Sequence, residues 1–277
     1  MERKRLAKYV VEKHQASVKR ACRLLGLSRT VFEYEPKKKA DDPLIKQELL
    51  ALVEQHRRYG FWKLFPMLRR DGFCWNSKRV YRVYCELKLN IRKRPKKRLP
   101  SREKLALVQP GQTNACWSLD YMSDSLMNGR RFRTANVIDD CNREALGVRA
   151  GFSLPAERVT EFLDEIAGVR GYPRQLRVDN GPENISITMV MWAKRNNVAI
   201  QYIESGKPAQ NACIERFNRT YREEILDMNL FHDINHVQAI TDEWLVKYNG
   251  ERPHESLGNL TPWEFSEKLR TPTEVLH

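Results

Sequence analysis

The chain has 277 residues, a formal net charge of +14 and 41% hydrophobic residues, which is enough for real hydrophobic cores and excludes a disordered chain. No window approaches eighteen consecutive apolar residues and the start lacks a signal-peptide segment, so we expect a soluble intracellular protein. The six cysteines form no C-x-x-C pair, which argues against a disulfide framework and a thiolate zinc site.

Charge is distributed unevenly along the chain. Residues 1–108 contain 30 Lys and Arg against 11 Asp and Glu, whereas the remaining 169 residues contain 19 against 24. This asymmetry predicts a front end that binds a polyanion, followed by a domain whose carboxylates have another function. General solubilisation is the alternative interpretation of the positive charge.

The first predicted domain covers residues 1–36 and contains two short helices around a tight turn. Ser17 is placed to cap the first helix, and Ser28 is placed to cap a second helix that begins at Arg29. This is the helix-turn-helix pattern, whose second helix enters the major groove of DNA, so Arg29 is a candidate DNA contact. A helical hairpin without a DNA-binding function is the alternative.

A second helical module is predicted over residues 43–91, after a polar linker that is bounded by prolines. Its first helix has an apolar face made of Leu44, Ile45, Leu49, Leu52 and Val53. Asn76 or Ser77 is placed to cap its last helix. The outer face of that helix carries the candidate DNA contacts Lys78, Arg79 and Arg82. A helical spacer with a basic exterior is the alternative.

The run RKRPKKR at residues 92–98 has six basic side chains and a proline. It is too charged to be buried and too stiff for a helix interior, so we predict a basic linker over residues 92–111 that can lie along phosphates. A solvated tether without contacts is the alternative.

From about residue 112 the pattern becomes strand, strand, strand, helix, strand, helix, strand, helix, which predicts a mixed α/β sheet flanked by helices. The strand and helix segments are predicted, in chain order, at residues 115–126, 132–140, 144–154, 155–171, 175–181, 185–198, 199–204 and from about 210. Neither glycine-rich fingerprint of nucleotide-binding folds is present.

Three carboxylates occupy positions that are unusual for surface acids. Asp120 lies within the first strand, on the face opposite Trp117 and Leu119, where an unpaired carboxylate is costly to bury. Asp179 ends a short buried strand, which is where open α/β sheets place ligand sites. Glu215 lies in the first turns of the last predicted helix. These three acids could therefore converge at one edge of the sheet.

The helix that carries Glu215 is expected to pack through an apolar stripe. The stripe consists of Ile214, Phe217, Tyr221 and Ile225. At its edge lies a polar row of Asn211, Glu215, Asn218 and Arg222, with Arg219 just beyond. We expect this edge to hold Glu215 against the sheet, and we expect the neighbours of Glu215, together with Lys207, to contact DNA phosphates.

Three convergent oxygen ligands without thiolates suit Mg²⁺ or Mn²⁺. Two such ions would stabilise the attacking and leaving oxygens of an in-line phosphoryl displacement, and no serine, cysteine or tyrosine nucleophile would be needed. Each acid also has a plain structural interpretation: Asp-Asn-Gly is mostly a turn, a helical Glu is usually solvated, and Asp120 could pair with Arg133 or Arg149.

Other polar residues compete for a place in the site. Asp139 and Asp140, at the end of the second strand, are alternative first ligands. Glu183 is interpreted as a cap of the next helix. His254 is interpreted as a satisfied histidine in a packed strap rather than as a site residue.

The three acids at this spacing, with the segments VDNGPE, GKPAQNACIERFNRTYREEI and YNGERPHESLGNLTP, resemble transposases of the insertion-sequence-three family, in the retroviral-integrase superfamily. The resemblance implies a ribonuclease-H-like catalytic domain with a C-terminal extension over residues 112–277. It also implies an Asp-Asp-Glu triad of Asp120, Asp179 and Glu215 that binds two Mg²⁺ or Mn²⁺ ions. Asn184 departs from the family, which usually has an aromatic residue at that position.

The resemblance further implies a reaction and partners. The protein would nick the ends of a mobile element and join a 3′-hydroxyl to a phosphodiester, with terminal inverted repeats and target DNA as substrates. We expect a homo-oligomer on the DNA, partnership or fusion with an upstream-frame helix-turn-helix protein, and a cytoplasmic, nucleoid-associated location. A catalytically silent DNA-binding regulator and a ribonuclease-H-like nuclease are the alternatives.

Overall fold

The structure is a computed structural model of the chain, and it describes residues 2–34, 41–91, 110–204 and 208–270. The chain divides into two compact units, residues 1–47 and residues 48–277. None of the described helices is long and apolar enough to cross a membrane. Most of the predicted basic linker lies outside the described residues, and the predicted domain boundaries stay predictions.

Three short helices form most of the first unit: α1 (Glu2–His14), α2 (Val18–Leu24) and α3 (Arg29–Glu33). The two predicted caps are confirmed, because Ser17 Oγ accepts a hydrogen bond from the Arg20 backbone N–H and Ser28 Oγ accepts one from Val31. Arg29 is the exposed first residue of α3. Helix α1 is an addition that the sequence patterns did not predict.

Helices α4 (Asp42–Gln55), α5 (Phe61–Arg70) and α6 (Ser77–Glu86) follow. Asn76 caps α6, since its side chain accepts a hydrogen bond from the Lys78 backbone N–H at 2.9 Å. The predicted apolar face of α4 is partly wrong. Ile45 and Leu49 are buried one turn apart, whereas Leu44 lies about 100° round the helix and is 42% exposed.

The predicted mixed sheet is confirmed. Its five strands are β1 (Cys116–Ser125), β2 (Arg131–Asp139), β3 (Ala145–Gly151), β4 (Gln175–Val178) and β5 (Ala199–Tyr202). Their order is β3-β2-β1-β4-β5, in which β1, β2 and β3 are antiparallel neighbours and β4 runs parallel to both β1 and β5. The carboxyl ends of β1 and β4 therefore point to the same edge of the sheet.

Helices cover both faces of this sheet. They are α7 (Ala156–Arg170), α8 (Ile187–Arg195), α9 (Ala212–Glu224), α10 (Ile234–Gly250) and α11 (Pro262–Arg270). One core contains Leu119 and Val137 with residues of α7 and α8, and the other contains Phe132 and Ile138 with residues of α9 and α10. This is a ribonuclease-H-like architecture. Helices α10 and α11 were not predicted as separate elements.

A substitution at Gly147 of β3 tests how tightly α7 packs on the sheet. A Cβ atom at this position would lie 2.8 Å from Cζ of Phe162, so Gly147→Ala should lower the free energy of unfolding by about 1–3 kcal/mol. Adding Phe162→Leu should recover much of that loss. The matched control is Gly168→Ala in α7, where a Cβ meets no described atom within 4 Å, and it should be neutral or stabilising. Equal losses in urea unfolding would contradict this packing.

Candidate active site

Asp120 lies in β1 on the sheet face that α9 covers, as the strand alternation predicts. Its Oδ1 accepts a hydrogen bond from the Tyr121 backbone N–H at 2.8 Å, and its Oδ2 accepts one from Asn218 Nδ2 at 2.7 Å. The alternative pairing of this carboxylate with an arginine is wrong. Arg133 pairs with Glu183, and Arg149 pairs with Glu165.

Asp179 follows β4 and is held by the turn after it. Its Oδ1 accepts hydrogen bonds from the Gly181 backbone N–H at 3.0 Å and from Asn184 Nδ2 at 2.6 Å. A Cβ atom on Gly181 would lie 2.9 Å from this same oxygen, so only glycine fits there without a shift. Asn184 is fully buried and accepts a hydrogen bond from the Tyr121 hydroxyl at 3.2 Å. The residue that departs from the family thus orients Asp179.

Glu215 lies in the first turn of α9 and is exposed to solvent. The predicted apolar stripe of α9 is confirmed, because Ile214, Phe217, Tyr221 and Ile225 are all buried. The Glu215 carboxylate forms no hydrogen bond or ion pair with the described residues. Of the three acids, it is the one that the surrounding side chains leave open.

The three acids interact electrostatically. Burial, together with the negative charges of Asp179 and Glu215, raises the pKa of Asp120 to about 6, although the hydrogen bonds from the Tyr121 backbone N–H and Asn218 oppose the rise. Within the described part of the chain, no three His, Cys, Asp or Glu side chains are arranged to hold a metal ion. The acids are therefore neighbours at one sheet edge without a shared coordination geometry.

Three segments of the chain match known domain families. Residues 110–208 and residues 196–262 each match an Integrase core domain, and residues 39–98 match an HTH-like domain. The chain is 39% identical over 266 residues to a 31.7 kDa protein of insertion element IS407 from Burkholderia multivorans, covering 95% of each. The chain belongs to the insertion-sequence-three family of transposases.

Two further relatives agree with this assignment. The chain is 36% identical over 271 residues to a 39.2 kDa protein of insertion element IS476 from Xanthomonas euvesicatoria, covering 98% of this chain and 78% of the relative. It is 24% identical over 244 residues to transposase InsD for insertion element IS2D from Escherichia coli, covering 81% and 79%. As a member of the family, the protein is a DDE transposase, a polynucleotidyl transferase, and DNA is its partner.

Two residues that the sequence assigned to DNA contact lie inside the transposase instead. Asn218 is only 9% exposed and uses both amide atoms internally, donating to Asp120 and accepting from Asn136 Nδ2 at 2.7 Å. Asn211 is 7% exposed at the start of α9. The expectation that these two side chains face DNA is wrong, because both are buried and Asn218 turns into the seam between α9 and the sheet.

The side of α9 that lies away from the sheet faces solvent. Arg216 and Arg219 are both exposed there, and neither guanidinium forms a hydrogen bond or ion pair with the described residues. Arg216 was missed in the sequence, although its place beside Glu215 and one turn from Arg219 was a usable signal. Arg222 instead donates to the Ser123 backbone oxygen at 2.8 Å and to Asp124. Lys207 lies outside the described residues.

The rival acids have structural roles in the transposase. Asp139 is fully buried and accepts backbone N–H hydrogen bonds from Asn114 at 2.7 Å and Cys141 at 2.8 Å. Asp140, also fully buried, forms an ion pair with Arg177. Both acids are satisfied within the fold and are set apart from the three acids of the site.

The interpretation of Glu183 as a helix cap is wrong. Ser186 caps α8 by accepting a hydrogen bond from the Met189 backbone N–H at 3.3 Å. Glu183 forms an ion pair with Arg133, which holds the pKa of the Glu183 carboxyl below its ordinary value. Arg133 in turn lies over the ring of Tyr121, at 4.9 Å from its centre. Glu183 thus braces the turn that carries Asp179 against β2.

His254 lies in a packed strap, as expected, with its ring centre 5.0 Å from that of Tyr248. Burial lowers the pKa of His254 to about 3, so the ring is neutral at pH 7. The expectation of a satisfied histidine is wrong, because its buried Nε2 has no hydrogen-bond partner among the described residues.

The raised pKa of Asp120 predicts how metal-free stability depends on pH. A carboxyl whose pKa rises from about 3.9 to about 6 on folding stabilises the fold below pH 4, and this contribution is lost as the pH rises through 6. Asp120→Asn should therefore raise the free energy of unfolding at pH 7, by up to about 3 kcal/mol relative to wild type. The gain should shrink toward pH 4.

Urea unfolding in EDTA at pH 4 to 7 measures this difference. The control is Asp124→Asn, because Asp124 is ion-paired with Arg222 at 3.2 Å and its removal should give no gain. If Asp120→Asn is no more stable than wild type at pH 7, burial and the neighbouring acids do not destabilise the charged Asp120 carboxylate.

Proposed function

We propose that this transposase nicks the ends of its mobile element in a Mg²⁺-dependent reaction and joins the resulting 3′-hydroxyl to a phosphodiester of target DNA. The observation that carries the proposal is the electrostatic coupling of Asp120, Asp179 and Glu215 at one edge of a ribonuclease-H-like sheet. Like charges brought together in a partly buried site are relieved by a bound cation.

Asp120, Asp179 and Glu215 would hold the metal, and we expect two ions. The proposed ligands are all carboxylate oxygens, and the set contains no thiolate or imidazole. Mg²⁺ and Mn²⁺ prefer such oxygen ligands. When bound, such ions supply Lewis acidity, lower the pKa of water or of a 3′-hydroxyl, and stabilise the departing oxygen.

The protein's own side chains orient the ligands. Asn218 holds Oδ2 of Asp120 and Asn184 holds Oδ1 of Asp179, each through a short amide hydrogen bond from a buried side chain. Oδ2 of Asp179 keeps no hydrogen bond to the described residues, so it is open to a cation. Neutral amides suit this role, because a lysine or arginine there would compete with the metal for the carboxylates.

Cations near the site and on the helices of residues 2–91 are proposed to bind DNA phosphates. They are Arg216 and Arg219 beside Glu215, Arg29 of α3, and Lys78, Arg79 and Arg82 of α6. All are exposed except Arg79, which is half-buried, and Arg82 also forms an ion pair with Glu86 at 2.6 Å. The substrates would be the terminal inverted repeats and a target duplex. Joining two ends requires at least two protomers on DNA, and an upstream-frame helix-turn-helix protein is a proposed partner. We propose that the protein acts at the nucleoid.

An assay on labelled element-end DNA with Mg²⁺ tests the reaction. Wild type should nick at the end and give a strand-transfer product, whereas Asp179→Asn and Glu215→Gln should lose activity on the order of a thousandfold. Glu223→Gln is the matched control, because Glu223 lies two turns further along the exposed face of α9. It should keep wild-type activity.

The products also separate the alternatives. Wild-type protein that binds the end without Mg²⁺-dependent nicking would be a silent regulator. Cleavage of RNA in RNA–DNA hybrids without preference for an end would indicate a nuclease. Nicking and joining by Glu215→Gln at the wild-type rate would remove Glu215 from the site.

DNA affinity as a function of salt concentration tests the phosphate contacts. Arg219→Ala should weaken binding and reduce the magnitude of the salt slope by about one, since one counterion fewer is released. Arg222→Ala should change the slope less, because that guanidinium already contacts Ser123 and Asp124. Equal slopes for Arg219→Ala and wild type would show that Arg219 does not meet a phosphate.

A further inference from the structure

The RPHESLG part of the family motif has no role in the reaction proposed above. It forms a strap over residues 251–261, between α10 and α11, which a backbone bridge from His254 to Leu260 closes at 3.1 Å. Just beyond the strap, Trp263 Nε1 donates to Glu144 at 2.8 Å. This contact fixes the C-terminal end of the strap to the catalytic domain.

Arg70, the last residue of α5, reaches this strap. Its guanidinium donates to the backbone oxygens of Glu251 at 3.0 Å and Asn259 at 2.8 Å, and to the Glu264 carboxylate at 2.8 Å. Three acceptors around one planar guanidinium fix its position and orientation, which a lysine ammonium could not reproduce. One arginine thus joins the end of α5 to both ends of the strap.

A second contact is built around Arg252 of the strap. Arg252 is only 7% exposed and pairs with Glu224 of α9 at 2.9 Å. Its guanidinium lies 5.5 Å from the ring centres of both Tyr59 and Tyr248. Tyr248 belongs to α10, whereas Tyr59 comes from the segment just before α5. The segment between α4 and α5 therefore supplies one of the two aromatic rings that lie over the buried Arg252 charge.

Lys63 of α5 adds a second cation to the same carboxylate. Its Nζ lies 3.7 Å from Glu224 and 4.7 Å from the centre of the Tyr59 ring. Burial and the nearby Arg252 charge lower the pKa of Lys63 to about 8. The cations Lys63 and Arg70 of α5 thus contact carboxylates and carbonyl oxygens of the catalytic domain. The two surfaces are complementary in charge.

These contacts connect the DNA-binding helix to the catalytic acids through rigid elements. Helix α6 packs on α5, because the Phe61 ring lies 4.9 Å from Tyr81 and 5.6 Å from Tyr84. On the other side, α9 carries both Glu224 and the catalytic Glu215. The two residues are nine positions apart, which is about 13 Å along the helix axis.

We propose that Glu224, the strap and Glu264 form a docking surface for the α5–α6 segment (residues 56–91). Docking holds a DNA end that is bound by α6 in one register relative to the catalytic acids, so that recognition of the end determines which phosphate is cleaved. The register rests on the proposed function, whereas the docking does not.

Hydrogen exchange of the full chain without DNA tests the docking. Arg70→Ala should speed amide exchange in both α5 and the strap on the order of tenfold, as expected for the loss of charge-assisted hydrogen bonds. Arg69→Ala is the matched control, since Arg69 lies over the Phe65 ring at 5.1 Å instead. It should leave the strap unchanged. Wild-type exchange in Arg70→Ala, or equal effects of both variants, would overturn the docking.

Mapping the cleaved phosphate on labelled end DNA tests the register. Arg70→Ala should bind the end within about twofold of wild type and cleave it at several neighbouring phosphates, while Arg69→Ala keeps a single site. A single wild-type site in a variant whose exchange shows release would overturn the register. If Arg70→Ala does not fold, Lys63→Met removes the second cation and gives the same comparison. If wild type does not cleave, the proposed reaction fails while the exchange result still decides the docking.

Discussion

The hydrogen bond from Asn218 to Asp120 joins α9 to β1, and the geometry of the site depends on the interface that it crosses. The interface forms because Phe217 and Tyr221 bury their rings in the core between α9, α10 and the sheet. Glu215 lies one turn before Asn218, so the same packing sets its position. Hydrophobic burial thus brings together acids that would otherwise repel one another.

This arrangement has an energetic cost. Asp120 accepts hydrogen bonds only from neutral amides, and burial together with the charges of Asp179 and Glu215 raises its pKa to about 6. Asp139 carries a similar cost, since burial and the charges of Asp140 and Glu144 raise its pKa to about 6 as well. The two clusters differ in their neighbours: Asp140 pairs with Arg177 and Glu144 with Arg170, whereas Asp179 and Glu215 form no ion pair with the described residues. An acidic cluster without any paired cation is the kind of local frustration that concentrates at functional positions.

Much of the fold was predictable because periodicity is a local property. The alternation of Trp117 and Leu119 with Asp120 placed this acid on the correct face of β1, and the three- and four-residue spacing of Ile214 and Phe217 placed the buried side of α9. Helix α10 also carried a readable signal, since Asp233 caps it.

The details of the site were not predictable from local pattern. Asn218 lies at the edge of the apolar stripe of α9, but the stripe does not show that its side chain would turn inward and donate to Asp120 instead of facing DNA. The role of Asn184 depends on Tyr121, which is distant in sequence and donates to it across the end of the sheet. Such tertiary partners leave no trace in a spacing rule.

The central claim is that Asp120, Asp179 and Glu215 together bind divalent ions. Anomalous scattering from Mn²⁺ in crystals of the transposase bound to element-end DNA tests it most directly. The account predicts Mn²⁺ peaks bridged by the three carboxylates, at roughly 2.0–2.4 Å from their oxygens. Mn²⁺ bound elsewhere, with no peak between these carboxylates in the presence of DNA, would contradict it.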